Sequence, residues 1–117
     1  MPSSISTAFN GHILLYDVDK SLAEGLCESL RGRGYLCTAV HSAADCVREI
    51  NSSDTRILFI GETEDELNLF DVVRHAQKGR IDVHTLDKPD YQETERRIKK
   101  IVNQIESTLI IQAHKPR

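Results

Sequence analysis

The chain has 117 residues, enough for one modest core, and its apolar (39%) and charged (28%) fractions are those of an ordinary soluble domain. A formal charge of −3, no tryptophan and few aromatics argue against a nucleic-acid surface, which needs a basic face or a stacking platform. No apolar run reaches the roughly 18 residues that span a bilayer, so no membrane association is expected. Residues Met1–Gly11 are rich in Ser and Thr and lack the layout of a signal peptide; they read as a disordered lead, and the protein as cytoplasmic. His12-Ile13-Leu14-Leu15-Tyr16 is apolar without helical period, as expected of a strand buried on both faces, and it ends at Asp17. Ser21-Leu22-Ala23-Glu24 has capping-box spacing, and Leu22, Leu26 and Leu30, with Ala23 and Cys27, form the stripe of a helix closed by Gly32 and Gly34. Tyr35–Val40 reads as a second strand. Ser42 opens a second helix with Ala43, Val47 and Ile50 inward.

Ile57-Leu58-Phe59-Ile60 is another wholly apolar strand, ending at Gly61. Thr63-Glu64-Asp65-Glu66 has capping-box spacing before a helix with Leu69, Phe70, Val73 and Ala76 inward, closed by Gly79. Ile81–Leu86 alternates and reads as an edge or near-edge strand. After Lys88-Pro89 comes a polar helix with Ile98, Ile101, Val102, Ile105 and Leu109 at helical spacing. Strands alternating with helices predict a doubly wound α/β domain on a parallel sheet. Ligands of such sheets bind beyond the carboxyl ends of the strands, which directs attention to 17–20, 61–63 and 85–90.

Cys27, Cys37 and Cys46 have no metal-ligand spacing and read as small apolar residues of a reduced protein. His12, His41, His75, His84 and His114 show no ligand spacing. No Gly-rich phosphate loop opens a helix. No metal, cofactor or catalytic group is expected. Asp17 and Asp19 are read either as a residual metal site or as capping carboxylates, and Glu62 as an exposed residue or a fixed charge near Lys88.

The run from Ile13 to Leu22, with its acidic cluster between strand and helix, resembles the opening of the receiver domain of two-component response regulators. Arg31-Gly32-Arg33-Gly34-Tyr35 resembles the link to that family's second strand, and Lys88-Pro89 its terminal Lys-Pro. The resemblance spans about residues 12 to 106, with 107–117 as helix end or linker. It implies a flavodoxin-like, receiver-like sheet of four to five strands, shortened between strand three and the Lys-Pro. In one alignment Ile81–Leu86 is the last of four strands. In the other, Leu109–Ala113 forms a fifth strand ending at Lys115-Pro116.

The family transfers a phosphoryl group to an aspartate, with carboxylates holding Mg²⁺ and a hydroxyl and a lysine reading the product; metal and lysine offset charge on the transferring oxygens. In this chain the first acidic position is Asp17, but the second is Val18 and the acceptor position is Gly61. Thr85 and Lys88 match the hydroxyl and the lysine, and Lys88 is expected to pair with Asp17. The resemblance therefore implies a degenerate, non-phosphorylatable pseudo-receiver, similar to those attached to bacterial transcription activators of the NtrC type. Such a domain acts in signal transduction by dimerising or by docking an output or partner domain, and Ile98, Ile101, Val102, Ile105 and Leu109 are its expected interface. Alternatives from other classes are a sensor of a nucleotide or other anion, with a pocket near Asp17, Gly61 and Lys88, and an atypical but active receiver.

Overall fold

Four apolar runs become the strands of one parallel sheet in the computed structural model, which describes residue 9, residues 11–86 and residues 94–113. The elements are β1 (His12–Tyr16), α1 (Lys20–Gly32), β2 (Leu36–Val40), α2 (Ala43–Ser52), β3 (Thr55–Ile60), α3 (Glu66–Lys78), β4 (Asp82–Thr85) and α4 (Thr94–Ala113). The sheet order is β2-β1-β3-β4, all parallel. The chain runs outward from β1 to β2, then crosses back to β3 on the other side of β1. That reversal puts the switch point between the carboxyl ends of β1 and β3.

Side chains of a strand alternate between faces, and both faces of β1 and β3 are covered. Ile13, Leu15, Ile57 and Phe59 pack with Leu22, Leu26 and Leu30 of α1 and with α4. Leu14, Tyr16, Leu58 and Ile60 pack with Ala43, Cys46 and Ile50 of α2 and with Val72 and Ala76 of α3. The alternation expected for β4 holds: Val83 faces the α2–α3 layer, while His84 stacks on Phe59 with ring centroids 5.6 Å apart.

Of the two alignments the four-strand one holds: Leu109–Ala113 is the end of α4, not a fifth strand, and the packed unit runs past 106. Two expectations are corrected. Phe9 packs partly buried against the α1–α4 core, so the packed unit also begins before His12. The interface proposed on α4 is core instead: Ile101, Val102, Ile105 and Leu109 are 0% exposed, and Ile98 packs partly buried beside them. The fit is close because α1 carries Gly25 where the helices meet. A Cβ there would lie 2.6 Å from Ile98 Cδ1. That apolar stripe of α4 covers the α1 face of the sheet. Tyr35 and Arg33 both donate to the Glu106 carboxylate, which pins α4 to the α1–β2 link. None of the described helices is long and apolar enough to cross a membrane.

Candidate functional site

At the switch point, β1 delivers Asp17 and β3 delivers Gly61. Asp17 is 1% exposed. Its backbone N–H donates to Val40 O at 3.2 Å, which continues the β1–β2 ladder. Its carboxylate turns inward: Oδ1 accepts from Asp19 N at 2.8 Å and Oδ2 accepts from Glu62 N at 3.1 Å. The first bond is a two-residue side-chain turn of the kind Asp forms at strand ends. The second ties the β1–α1 loop to the β3–α3 loop. Val18 N donates to Glu62 O at 3.0 Å and Gly61 N to Tyr16 O at 2.8 Å, so the two loops are zipped by their backbones as well.

This arrangement explains the glycine. A Cβ on Gly61 would lie 2.0 Å from Asp17 Oδ2 and 2.9 Å from Asp17 Cγ. The Asp17 carboxylate fills the space that a side chain at 61 would need. The bare position at 61 and the inward turn of Asp17 are one feature seen from two strands.

The remaining predicted residues divide. Val18 contributes backbone to the zipper and no ligand atom. Asp19 is the N-cap of α1, its Oδ1 accepting from Leu22 N at 3.2 Å; this moves the cap from Ser21, because the earlier carboxylate reaches the free amides first. Thr85 ends β4 opposite Ile60 in the register and is exposed, lining a groove on the α3 side. Lys88, and with it the expected pairing to Asp17, lies outside the described residues.

Mg²⁺ takes near-octahedral hard oxygen ligands, usually from more than one carboxylate. Here Asp17 bonds two backbone amides, Asp19 caps a helix, Val18 is apolar and Gly61 has no side chain. These residues do not fit the ion. Among the described residues no group of three or more His, Cys, Asp or Glu side chains is placed to hold a metal.

One residue that sequence reasoning misassigned is central to the geometry. Thr63–Glu66 does not act as a capping box; Asp65 caps α3 by accepting from Asn68 N at 2.8 Å. Glu64 reaches the other way. Its Oε1 accepts from Tyr16 Oη, and its Oε2 accepts from Ala43 N at 3.1 Å, the first amide of α2. A tyrosine ending a buried strand has a hydroxyl that must find a partner, and that requirement was the available clue. Burial, then the Glu64 hydrogen bond and charge, push the Tyr16 phenol above its usual range. Burial by itself would raise Glu64, but the bonds from Tyr16 and the Ala43 amide outweigh it and hold the carboxyl below its ordinary 4.5.

The sign of the pH effect follows. A carboxyl depressed in the folded state stabilises the fold above its ordinary value, and that contribution is lost as pH falls through the folded value. The wild-type melting temperature is expected to hold from neutral pH to about 5 and to drop on further acidification, with Glu64→Gln removing part of the drop. The side chain is exposed, so the difference stays below about 1 kcal/mol. Identical acid limbs for the two proteins in a thermal melt series would refute it.

The three cysteines are buried and unpaired by disulfides. A hydrogen bond between the Cys27 and Cys37 thiols lowers Cys27 and raises Cys37, and burial pushes Cys46 up to about 12. His12 bonds Thr38 Oγ1 at 2.7 Å and His75 bonds Asp71 O at 2.9 Å, both structural contacts.

A second surface stands apart from the switch point. Leu69, Val72, Val73 and Ala76 turn toward the sheet, whereas Phe70, expected among them, is 72% exposed, and Leu67 is 80% exposed. The reason is angular. At 3.6 residues per turn, the mean direction of the four inward residues leaves Phe70 about 110° away, nearly a third of a turn. Between α3 and β4, Ile60, Leu69, Phe70, Val73, Val83 and Thr85 line an apolar groove of about 380 Å³. It lies at the β4 edge of the sheet. Other concavities lie over Leu67 and Arg74 and between α1 and β2; none of the three is lined by Asp17 or Gly61.

No family model and no curated protein matches this chain. Solved structures do. The chain is similar to the receiver domain of the Francisella response regulator 1452, with a TM-score of 0.64 and 18% identity over 89% of this chain and 97% of that one. It is also similar to a fusion that carries a yeast Spc42 trimeric coiled-coil segment, with a TM-score of 0.60 and 14% identity over 87% of this chain and 77% of that one. At these identities the likeness is one of fold: a flavodoxin-like, receiver-like α/β sheet with four strands.

Proposed function

We propose that this chain is a non-phosphorylatable receiver-like domain that regulates by binding protein, through dimerisation or partner docking, in bacterial signal transduction or transcription control. The fold it shares with a response-regulator receiver supports the setting. One observation supports the loss of chemistry: at Gly61, the position that the resemblance gives the acceptor, the space for a side chain is occupied by the Asp17 carboxylate. Phosphoryl transfer to this fold needs a carboxylate oxygen in line with the donor and a cation to offset charge on the equatorial oxygens. Gly61, at the end of β3, supplies neither. The domain acts without catalysis, in the cytoplasm, and the apolar α3–β4 face is where its binding is concentrated. An exposed patch of this kind is a common mark of a protein contact.

The test is chemical. After incubation with acetyl phosphate and Mg²⁺, the intact mass is expected to be unchanged. A stoichiometric, hydroxylamine-labile adduct would overturn the reading and return the chain to the active receivers.

A further inference from the structure

We propose that the α3–β4 face is the interface of a two-fold symmetric homodimer, in which the α3 helices of two copies pack antiparallel across Phe70. The inference deepens the regulatory reading by naming its surface and partner, and it rests on that reading only for biological meaning.

A two-fold interface must be complementary to itself, so whatever lies on one side of the axis must match what lies on the other. The exposed face of α3 has that property. Glu66, Phe70 and Arg74 follow at intervals of four residues, which places them on one side of the helix. If the axis passes at Phe70, an antiparallel partner sets Glu66 against Arg74 and Arg74 against Glu66. The same operation sets Leu67 against Val73. The acidic end of each helix thus meets the basic end of the other, and the two most exposed apolar side chains of the described residues, Leu67 and Phe70, lie at the centre. In one copy, among the described residues, Arg74 pairs with Asp71 alone, at 2.9 Å, with side chains 73% and 45% exposed. Such an i,i+3 surface pair is worth a fraction of a kcal/mol and yields readily to a better partner. The groove beside Phe70 supplies the pocket. It is lined by Ile60, Leu69, Val73 and Val83, which gives each partner's Phe70 an apolar seat. A central aromatic anchor in a pocket with a charged rim is the usual distribution of energy in an interface.

The experiment is sedimentation equilibrium on the full chain across a concentration range up to millimolar, with circular dichroism as the fold control. A monomer–dimer equilibrium is expected for the wild type. Phe70→Glu, at a solvent-exposed site, is expected to keep its melting temperature and to weaken association at least 10-fold. Glu66→Arg and Arg74→Glu are each expected to weaken it several-fold, because each sets like charges together. The double reversal, Glu66→Arg with Arg74→Glu, restores both cross-pairs and is expected to recover dimerisation. A wild-type chain that stays monomeric, or a double reversal no better than the singles, overturns the proposal. Neither result touches the phosphorylation test, so failure of the dimer and failure of the regulatory reading are read separately.

Discussion

Any side chain at position 61 is expected to destabilise the domain. Gly61→Ala places a methyl 2.0 Å from the Asp17 carboxylate oxygen, a separation no Cβ sustains. The neighbour is not a mobile side-chain end. Asp17 is buried and held by the amides of Asp19 and Glu62, so moving it breaks two partly buried hydrogen bonds. Overpacking of this kind costs about 1–3 kcal/mol. Losing the two bonds adds about 0.5–1.5 kcal/mol for each. Gly61→Asp adds a second carboxylate to the same space, and an expected loss of about 3 kcal/mol or more takes a large part of a stability that for small domains is about 5–15 kcal/mol. Urea unfolding followed by circular dichroism measures it. The decisive measurement is a double-mutant cycle. If the clash is with Asp17, Gly61→Ala should cost far less in an Asp17→Ala background than in the wild type, a non-additivity expected of residues in contact. Strictly additive losses would sink the explanation.

Ile105→Ala is expected to cost about 2–5 kcal/mol, as for a large aliphatic residue removed from a filled core. Ile105 is 0% exposed, in one cluster with Leu26, Leu30, Phe59, Ile101 and Leu109. Ile111, at 63% exposure on the same helix, is the control, with an expected change within about 0.5 kcal/mol on truncation to alanine. The pair of variants separates core from interface. If Ile105 served an interface between copies, its loss would lower the association constant and leave the unfolding midpoint in place. The core predicts the reverse, with the midpoint falling and the α3-mediated association keeping its strength in whatever fraction remains folded.

The order of elements was legible along the chain because each carries a local pattern. The two apolar runs ending at Asp17 and Gly61 have no period of their own, and they became the central strands β1 and β3. The alternation of Ile81–Leu86 became an edge strand. Gly32 is the last residue of α1, Gly34 follows two residues on, and Gly79 directly follows α3, so these glycines mark real helix ends. Caps were less legible. Ser21 and Thr63 match the capping-box spacing, but Asp19 and Asp65 hold the amides. Several acceptors compete at each helix start, and spacing does not rank them.

Val18 and Gly61 stand where the resemblance implies a metal ligand and an acceptor, and neither residue type can fill those roles. Why position 61 must be glycine was not contained in the sequence. It depends on a carboxylate 44 positions earlier turning inward, and only the pairing of β1 with β3 brings the two together. Glu64 is the same kind of case, a charged loop residue whose partners, Tyr16 and Ala43, lie on other elements. The fate of the two apolar stripes was likewise a tertiary decision. Periodicity shows that a helix has an apolar side but not what covers it. The stripe of α4 is consumed by α1 and the sheet, while Leu67 and Phe70 of α3 are left uncovered beside the open edge of β4. The sequence by itself determined the strands, the helices and the bare position at 61, because those are properties of single residues and near neighbours. The tertiary structure decided that the Asp17 carboxylate fills the space over Gly61 and which apolar face stays exposed, because both depend on contacts between residues far apart in the chain.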